Sequence, residues 1–288
     1  MSMLARATVL SLLCGTYARS TTTTTTTMIT STMRNVAPPS SSHGSSKSFT
    51  VLTWNVLARD YTHYNKELPG CVQGHRNPNG SLETVNQTRM RHALASAAII
   101  QRAPDAVLLQ EFSVDFLSMY YNPLATVLLT HFVPAHMTNA LGPGTGVLLR
   151  KAGPLLPSGP TLSVGGSKET GGTSKSASGV LVQLESEPER PVWLVSLHLT
   201  PYKYSPDKVC AHLRLLGEAL RTLAENVTNT RPMAPPRVVI GGDLNAQPSE
   251  VRAIQSTCPT LGGAFYHVNA AGFTGFSADF LSAGDIDH

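Results

Sequence analysis

Arg237-Val238-Val239-Ile240-Gly241-Gly242-Asp243-Leu244-Asn245-Ala246-Gln247-Pro248-Ser249 runs from a β-branched apolar strand through a glycine pair to a carboxylate and a carboxamide two residues apart, then to a proline. At a period of two along a strand, Asp243 and Asn245 point the same way, so one phosphoryl group or hydrated cation can reach both side chains. Glycines just before them allow close backbone approach. Taken alone, the same residues better suit a strand that closes in an Asx turn. Which of the two holds depends on whether other strands end the same way.

Several do. Phe49 to Ala58 alternates in the β manner and is interrupted by Asn55, a carboxamide that wants a partner, whether a loop or a ligand. Asp105 to Glu111 is an apolar run that ends on a carboxylate, placed either to enter a site or to cap a helix near Ser113. Pro191 to Leu199 brings His198 to its end, as a structural histidine or a catalytic one. Thr145 to Arg150 and Gly179 to Leu184 are further strands, and the Gly/Ser-rich stretch 153–178 between them reads as a mobile loop. A helix is expected over 86–102 with Met90, Leu94, Ala97 and Gln101 on one face. A second apolar helical segment over 114–129 is broken at Asn122-Pro123. From Ser205 an N-cap, Pro206 and Asp207 open a helix whose Val209, Leu213, Leu216, Leu220 and Leu223 would cover a sheet. Pro248 opens a shorter helix with Val251 and Ile254 inward.

Composition agrees with one large α/β domain behind a leader. Of the 288 residues 41% are hydrophobic and 14% charged, enough for a sizeable core, and the net charge of +4 fits a polyanionic partner. Residues 1–47 contain no acidic residue and include the threonine run 21–27, so a disordered leader is expected ahead of a 48–288 domain. Its arginines and hydroxyls suit a mitochondrial transit peptide, whereas Ala7 to Cys14 suits a short secretory signal and an unstructured cytosolic tail is a third reading. That apolar stretch is too short to span a bilayer. The spacing of Cys14, Cys71, Cys210 and Cys258 indicates neither a zinc site nor a disulfide framework, and a reducing compartment follows as the simple reading.

The polar residues at the strand ends, Asn55, Glu111, His198, Asp243, Asn245 and Asp287, form the set of oxygens and donors that a hard cation and a phosphoryl group require. T-W-N-V-L-A at 53–58, L-L-Q-E at 108–111, S-L-H-L at 196–199, G-G-D-L-N-A-x-P at 241–248 and D-I-D-H at 285–288 resemble, in order and rough spacing, the endonuclease/exonuclease/phosphatase superfamily. N-V-L-A and the F-T-G-F-S-A-D-F run at 273–280 are most similar to its deadenylase, angel and nocturnin group.

The resemblance implies a DNase I-like four-layer α/β sandwich, two mixed sheets flanked by helices, with the site at one rim. It makes Glu111 the main Mg²⁺ ligand with Asn55 beside it, Mn²⁺ being the alternative ion. Asp243 would orient or deprotonate the attacking water, Asn245 would hold the phosphate and His198 would donate to a non-bridging oxygen. The implied activity is Mg²⁺-dependent phosphodiester hydrolysis, of 3′→5′ exoribonuclease, deadenylase type, on single-stranded RNA. A DNA-repair nuclease, a 2′-phosphodiesterase and a nocturnin-type dinucleotide phosphatase are alternatives with the same chemistry. The family pattern continues into a further strand and an S-D-H motif whose histidine pairs with the residue matched by Asp287. This sequence stops before it, so the expectation is a domain lacking its last strand, and an inactive nucleic-acid-binding pseudoenzyme is the other reading. His288 directly follows Asp287 and is not assigned that histidine's role. Substrate choice is expected from the loops at 60–85, 130–145, 153–178 and 260–280, with Tyr61, Tyr64, Tyr202, Tyr204, Phe273 and Phe276 as candidate stacking residues.

Overall fold

The computed structural model describes residues 31–32, 49–58, 83–138, 143–167, 170, 175–230, 236–246, 248–258, 265–268 and 280–283. One sheet has the order β1-β2-β3-β5-β4, from Ser31–Thr32, Thr50–Asn55, Ala106–Phe112, Gly144–Arg150 and Phe132–Met137 respectively. The other runs β10-β11-β9-β8-β7-β6, from Phe265–Val268, Phe280–Ala283, Arg237–Asp243, Glu187–His198, Ser176–Leu184 and Leu155–Gly165. In each sheet one pair is parallel, β2 with β3 and β8 with β9, and the other pairs are antiparallel.

Alternation along the strands builds three apolar layers. Val51, Ala106, Leu108, Val147 and Leu149 of the first sheet meet Val180, Val182, Val192, Leu194 and Val239 of the second in the space between them. The opposite parity, Leu52, Trp54, Val107 and Leu109, packs under α1 (Val85–Arg102), α2 (Val114–Leu117) and α3 (Ala125–His131). Leu181, Trp193, Val195 and Leu197 pack under α4 (Pro206–Thr230) and α5 (Pro248–Thr257), with Val209, Leu213, Leu216 and Leu220 of α4 buried as their spacing predicts. The result is a helix, sheet, sheet, helix sandwich.

Several expectations change. The buried face of α1 is Thr88, Arg91, His92, Ala95, Ser96 and Ile99, while Met90 is exposed. Polar partners explain the inversion: Arg91 forms a buried ion pair with Glu83 at 2.7 Å and donates to the Val56 carbonyl, and Ser96 accepts from Asn122. The 153–178 stretch is not simply a loop, because it contains the eleven-residue strand β6. Its prolines are tolerated because β6 is an edge strand, with an irregularity between Pro157 and Thr161. Phe132–Met137 is likewise an edge strand, bulged between Pro134 and His136. Within the stretch read as leader, Ser31–Thr32 pairs with β2; the rest of residues 1–47 lies outside the described residues. The expectation of no disulfide is overturned: Cys210 of α4 and Cys258, just past α5, are bonded across 48 residues. Sequence spacing could not reveal this pair, because packing of two helices on one sheet face brings it together. Among the described residues no helix is long and apolar enough to cross a membrane.

Candidate active site

Between the sheets the inward positions change character toward one rim. Leu108 and Leu194 are apolar; the next inward positions are Thr53, Gln110 and Ser196, and the last are Asn55, His198 and Asp243. The middle tier ties the sheets together. Gln110 Nε2 donates to Ser196 Oγ at 2.9 Å and to Thr53 Oγ1 at 3.1 Å, while Ser196 Oγ donates to the Leu109 carbonyl at 2.7 Å. All three side chains are buried. None was singled out from sequence, because only docking of the two sheets makes them partners.

The two parallel pairs deliver the outer tier. Asn55 lies opposite Gln110 in one sheet and His198 opposite Asp243 in the other. Strict alternation would turn Glu111 outward beneath the helices. Instead the register shifts between Gln110 and Phe112, and Glu111 adopts φ 52°, a left-handed conformation that swings its carboxylate to the rim while Phe112 rejoins the outer core. Close approach in the second sheet accounts for a glycine: a Cβ on Gly242 would fall 1.8 Å from the Leu197 carbonyl oxygen.

Asn55 bridges the two sheets. Its Nδ2 donates to Glu111 Oε1 at 3.1 Å and to Asp243 Oδ2 at 2.8 Å, while its Oδ1 accepts from the Leu57 amide. Glu111 Oε2 also accepts from the Ala58 amide at 3.0 Å. Buried His198 has Nε2 3.7 Å from Asp243 Oδ2 and 3.9 Å from Glu111 Oε1. The ammonium of Lys175, just before β7, lies 2.6 Å from that same nitrogen. Burial pushes the Glu111 carboxyl above the usual carboxylate range, opposed by the Asn55 hydrogen bond and the Lys175 charge. Burial likewise pushes Lys175 down, opposed by Asp243 and Glu111.

Asp243 and Asn245 do not share a face. The strand stops at Asp243, and Asn245 adopts φ 48°. Asp243 Oδ1 accepts the Asn245 amide at 2.9 Å, an Asx turn, and Asn245 Nδ2 donates to the Leu199 carbonyl. The turn reading of that stretch therefore holds and the shared strand face does not: one carboxylate oxygen closes the turn and the other faces the site. Asp287 lies outside the described residues, as do Tyr61, Tyr64, Phe273 and Phe276; the Tyr202 hydroxyl sits 3.3 Å from Thr257 Oγ1.

Glu111, His198 and Asp243 each offer one ligand atom, and these lie within 4.8 Å of one another. Two carboxylate oxygens on opposite sides of one gap, with N–H groups already directed at them, form a donor set suited to a divalent cation. A hard ion that keeps several waters needs only one or two such carboxylates. In the arrangement seen here Asn55 presents its N–H₂ edge to the carboxylates and its oxygen to Leu57.

No protein-family model matches the sequence, and no curated protein matches it. Solved structures do. A humanised D. rerio TDP2 is 15% identical, with 83% of each chain covered and a TM-score of 0.52. The chain shares the fold of that structure, a DNase I-like sandwich of two mixed sheets flanked by helices. The human Nocturnin catalytic domain is 17% identical over 82% of this chain and 81% of that one, with a TM-score of 0.49. ANGEL2, a 2′,3′-cyclic phosphatase, is 16% identical with a TM-score of 0.49; this chain is covered over 69% and spans about half, 53%, of that one.

Proposed function

We propose that this protein is a metal-dependent phosphodiester hydrolase of the 3′→5′ exoribonuclease, deadenylase type, acting on single-stranded RNA. The observation that carries the proposal is the Asn55 bridge, which joins a carboxylate from each sheet beside His198 at one rim. Glu111 and Asp243, on opposite sides of the gap, would hold Mg²⁺ or Mn²⁺, with Asn55 positioning both carboxylates, and the bound ion would supply charge neutralisation at the phosphoryl oxygens. Asp243 Oδ2, held by Asn55, is the base that orients a water and takes its proton as the water oxygen bonds to phosphorus. The bond from phosphorus to the leaving oxygen breaks in line, and that oxygen leaves protonated by solvent. His198 would supply an N–H donor beside the carboxylates, where charge grows on the non-bridging oxygens. Asn245, whose amide the Asx turn ties to Asp243, would contact the phosphate.

The test is release of mononucleotides from oligo(A) by the full chain in the presence of Mg²⁺. Glu111→Ala should abolish it, and absence of metal-dependent cleavage of any phosphoester would sink the proposal. Poly(A), abasic DNA and NADPH assayed side by side separate the deadenylase reading from other phosphoesterases of the same fold.

A further inference from the structure

Lys175 belongs to none of the motif residues, yet its side chain reaches the centre of the site. The ammonium lies 2.6 Å from His198 Nε2, and that nitrogen in turn lies within 4 Å of both Glu111 Oε1 and Asp243 Oδ2. The backbone at this point is tied down: the Lys175 carbonyl accepts the Gly166 amide at 2.9 Å, and Thr200 Oγ1 donates to the Thr170 carbonyl at 3.0 Å. The four-carbon stem therefore swings from a fixed root. Held at that nitrogen, the ammonium sits in the field of both carboxylates, the field a divalent cation would use. An ammonium and a dication that share the field of the buried Glu111 and half-buried Asp243 carboxylates repel each other.

We propose that Lys175 is a resident cation of the site, whose ammonium competes with a divalent cation for the Glu111 and Asp243 carboxylates. Arrival of the ion displaces the ammonium, and the stem carries it toward the mouth. This rests on the donor geometry and on the two carboxylates, and it holds whether or not the protein cleaves RNA.

The experiment is titration calorimetry with Mn²⁺ on the full chain, without substrate. Lys175→Met should bind Mn²⁺ at least about tenfold more tightly than wild type, because one competing unit charge is gone. Lys175→Arg, which keeps the charge, should bind as weakly as wild type. In EDTA, Lys175→Met should melt below wild type, since its carboxylates have lost their counter-charge, and Mn²⁺ should raise its melting point by more. Equal or weaker Mn²⁺ binding by Lys175→Met overturns the proposal, and so does tight binding by Lys175→Arg. If Lys175→Met does not fold, Lys175→Gln serves as the neutral variant, with the same outcomes deciding. Failure of oligo(A) cleavage leaves these readings intact, so the two proposals fail separately.

Discussion

At the scale of single residues, the site depends on backbone conformation as much as on side-chain chemistry. Glu111 at φ 52° occupies a region that costs an ordinary L-residue about 1–2 kcal/mol. Removing its carboxylate by Glu111→Gly and by Glu111→Ala should abolish activity alike. The glycine variant should be the more stable by about 1 kcal/mol, because it lacks the Cβ that makes this conformation unfavourable. Urea denaturation of the two variants checks this; equal stabilities would show that Glu111 carries no backbone strain. The acidic residue itself was legible from its place after a buried apolar run. Its direction was not, because alternation alone points it at the helices and only the bulge returns it to the rim.

At the scale of elements, the polar face of α1 is the least expected feature. Arg91 is buried with Glu83 and also holds the Val56 carbonyl, next to Asn55. Arg91→Met would leave a buried carboxylate without its main counter-charge and should destabilise the protein by about 3–5 kcal/mol, read from the urea midpoint. On the other face, α4 and α5 are joined by Cys210–Cys258, which closes a long loop of chain. Reduction, or the pair of Cys→Ser substitutions, should lower stability by about 4 kcal/mol in the chain-entropy account, and an unchanged urea midpoint would contradict it. His212 of α4 is fully buried beside Gly165, and burial lowers its pKa from 6.5 to about 4. Between those values the unfolded chain binds the proton and the fold does not, so stability is complete above the higher value and falls as pH drops toward the lower one. The share of His212 is up to roughly 3 kcal/mol. Urea midpoints measured at about pH 7.5 and about pH 5 should differ less in His212→Leu than in wild type.

At the scale of the whole molecule, neither sheet owns the site. Asn55 and Glu111 come from one and His198 and Asp243 from the other, with the Gln110 to Ser196 latch directly behind them. An ion that binds both carboxylates therefore binds only the docked sandwich, and linkage converts its affinity into global stability. At an ion concentration a hundredfold above Kd the gain is about 2.7 kcal/mol. Thermal melts should show an upward shift with Mn²⁺ in wild type and none in Glu111→Ala. Gln110→Leu should weaken the response by loosening the register of the two sheets, even though residue 110 bears no ligand.

The amino-acid sequence by itself determined the α/β class and most of its strands, the covering helix from Pro206, and Asn55, Glu111, His198 and Asp243 as the candidate residues, while the two-sheet arrangement came only as what the motif resemblance implies. Those features reside in local periodicity and in which residue types close each strand. Tertiary structure alone decided the rest: the bulge that aims Glu111, the separate faces of Asp243 and Asn245, the latch between the sheets, the Cys210–Cys258 bond and the entry of Lys175. Each of these depends on the register between strands or on packing between layers, and such contacts join residues far apart in the chain whose pairing no local pattern encodes.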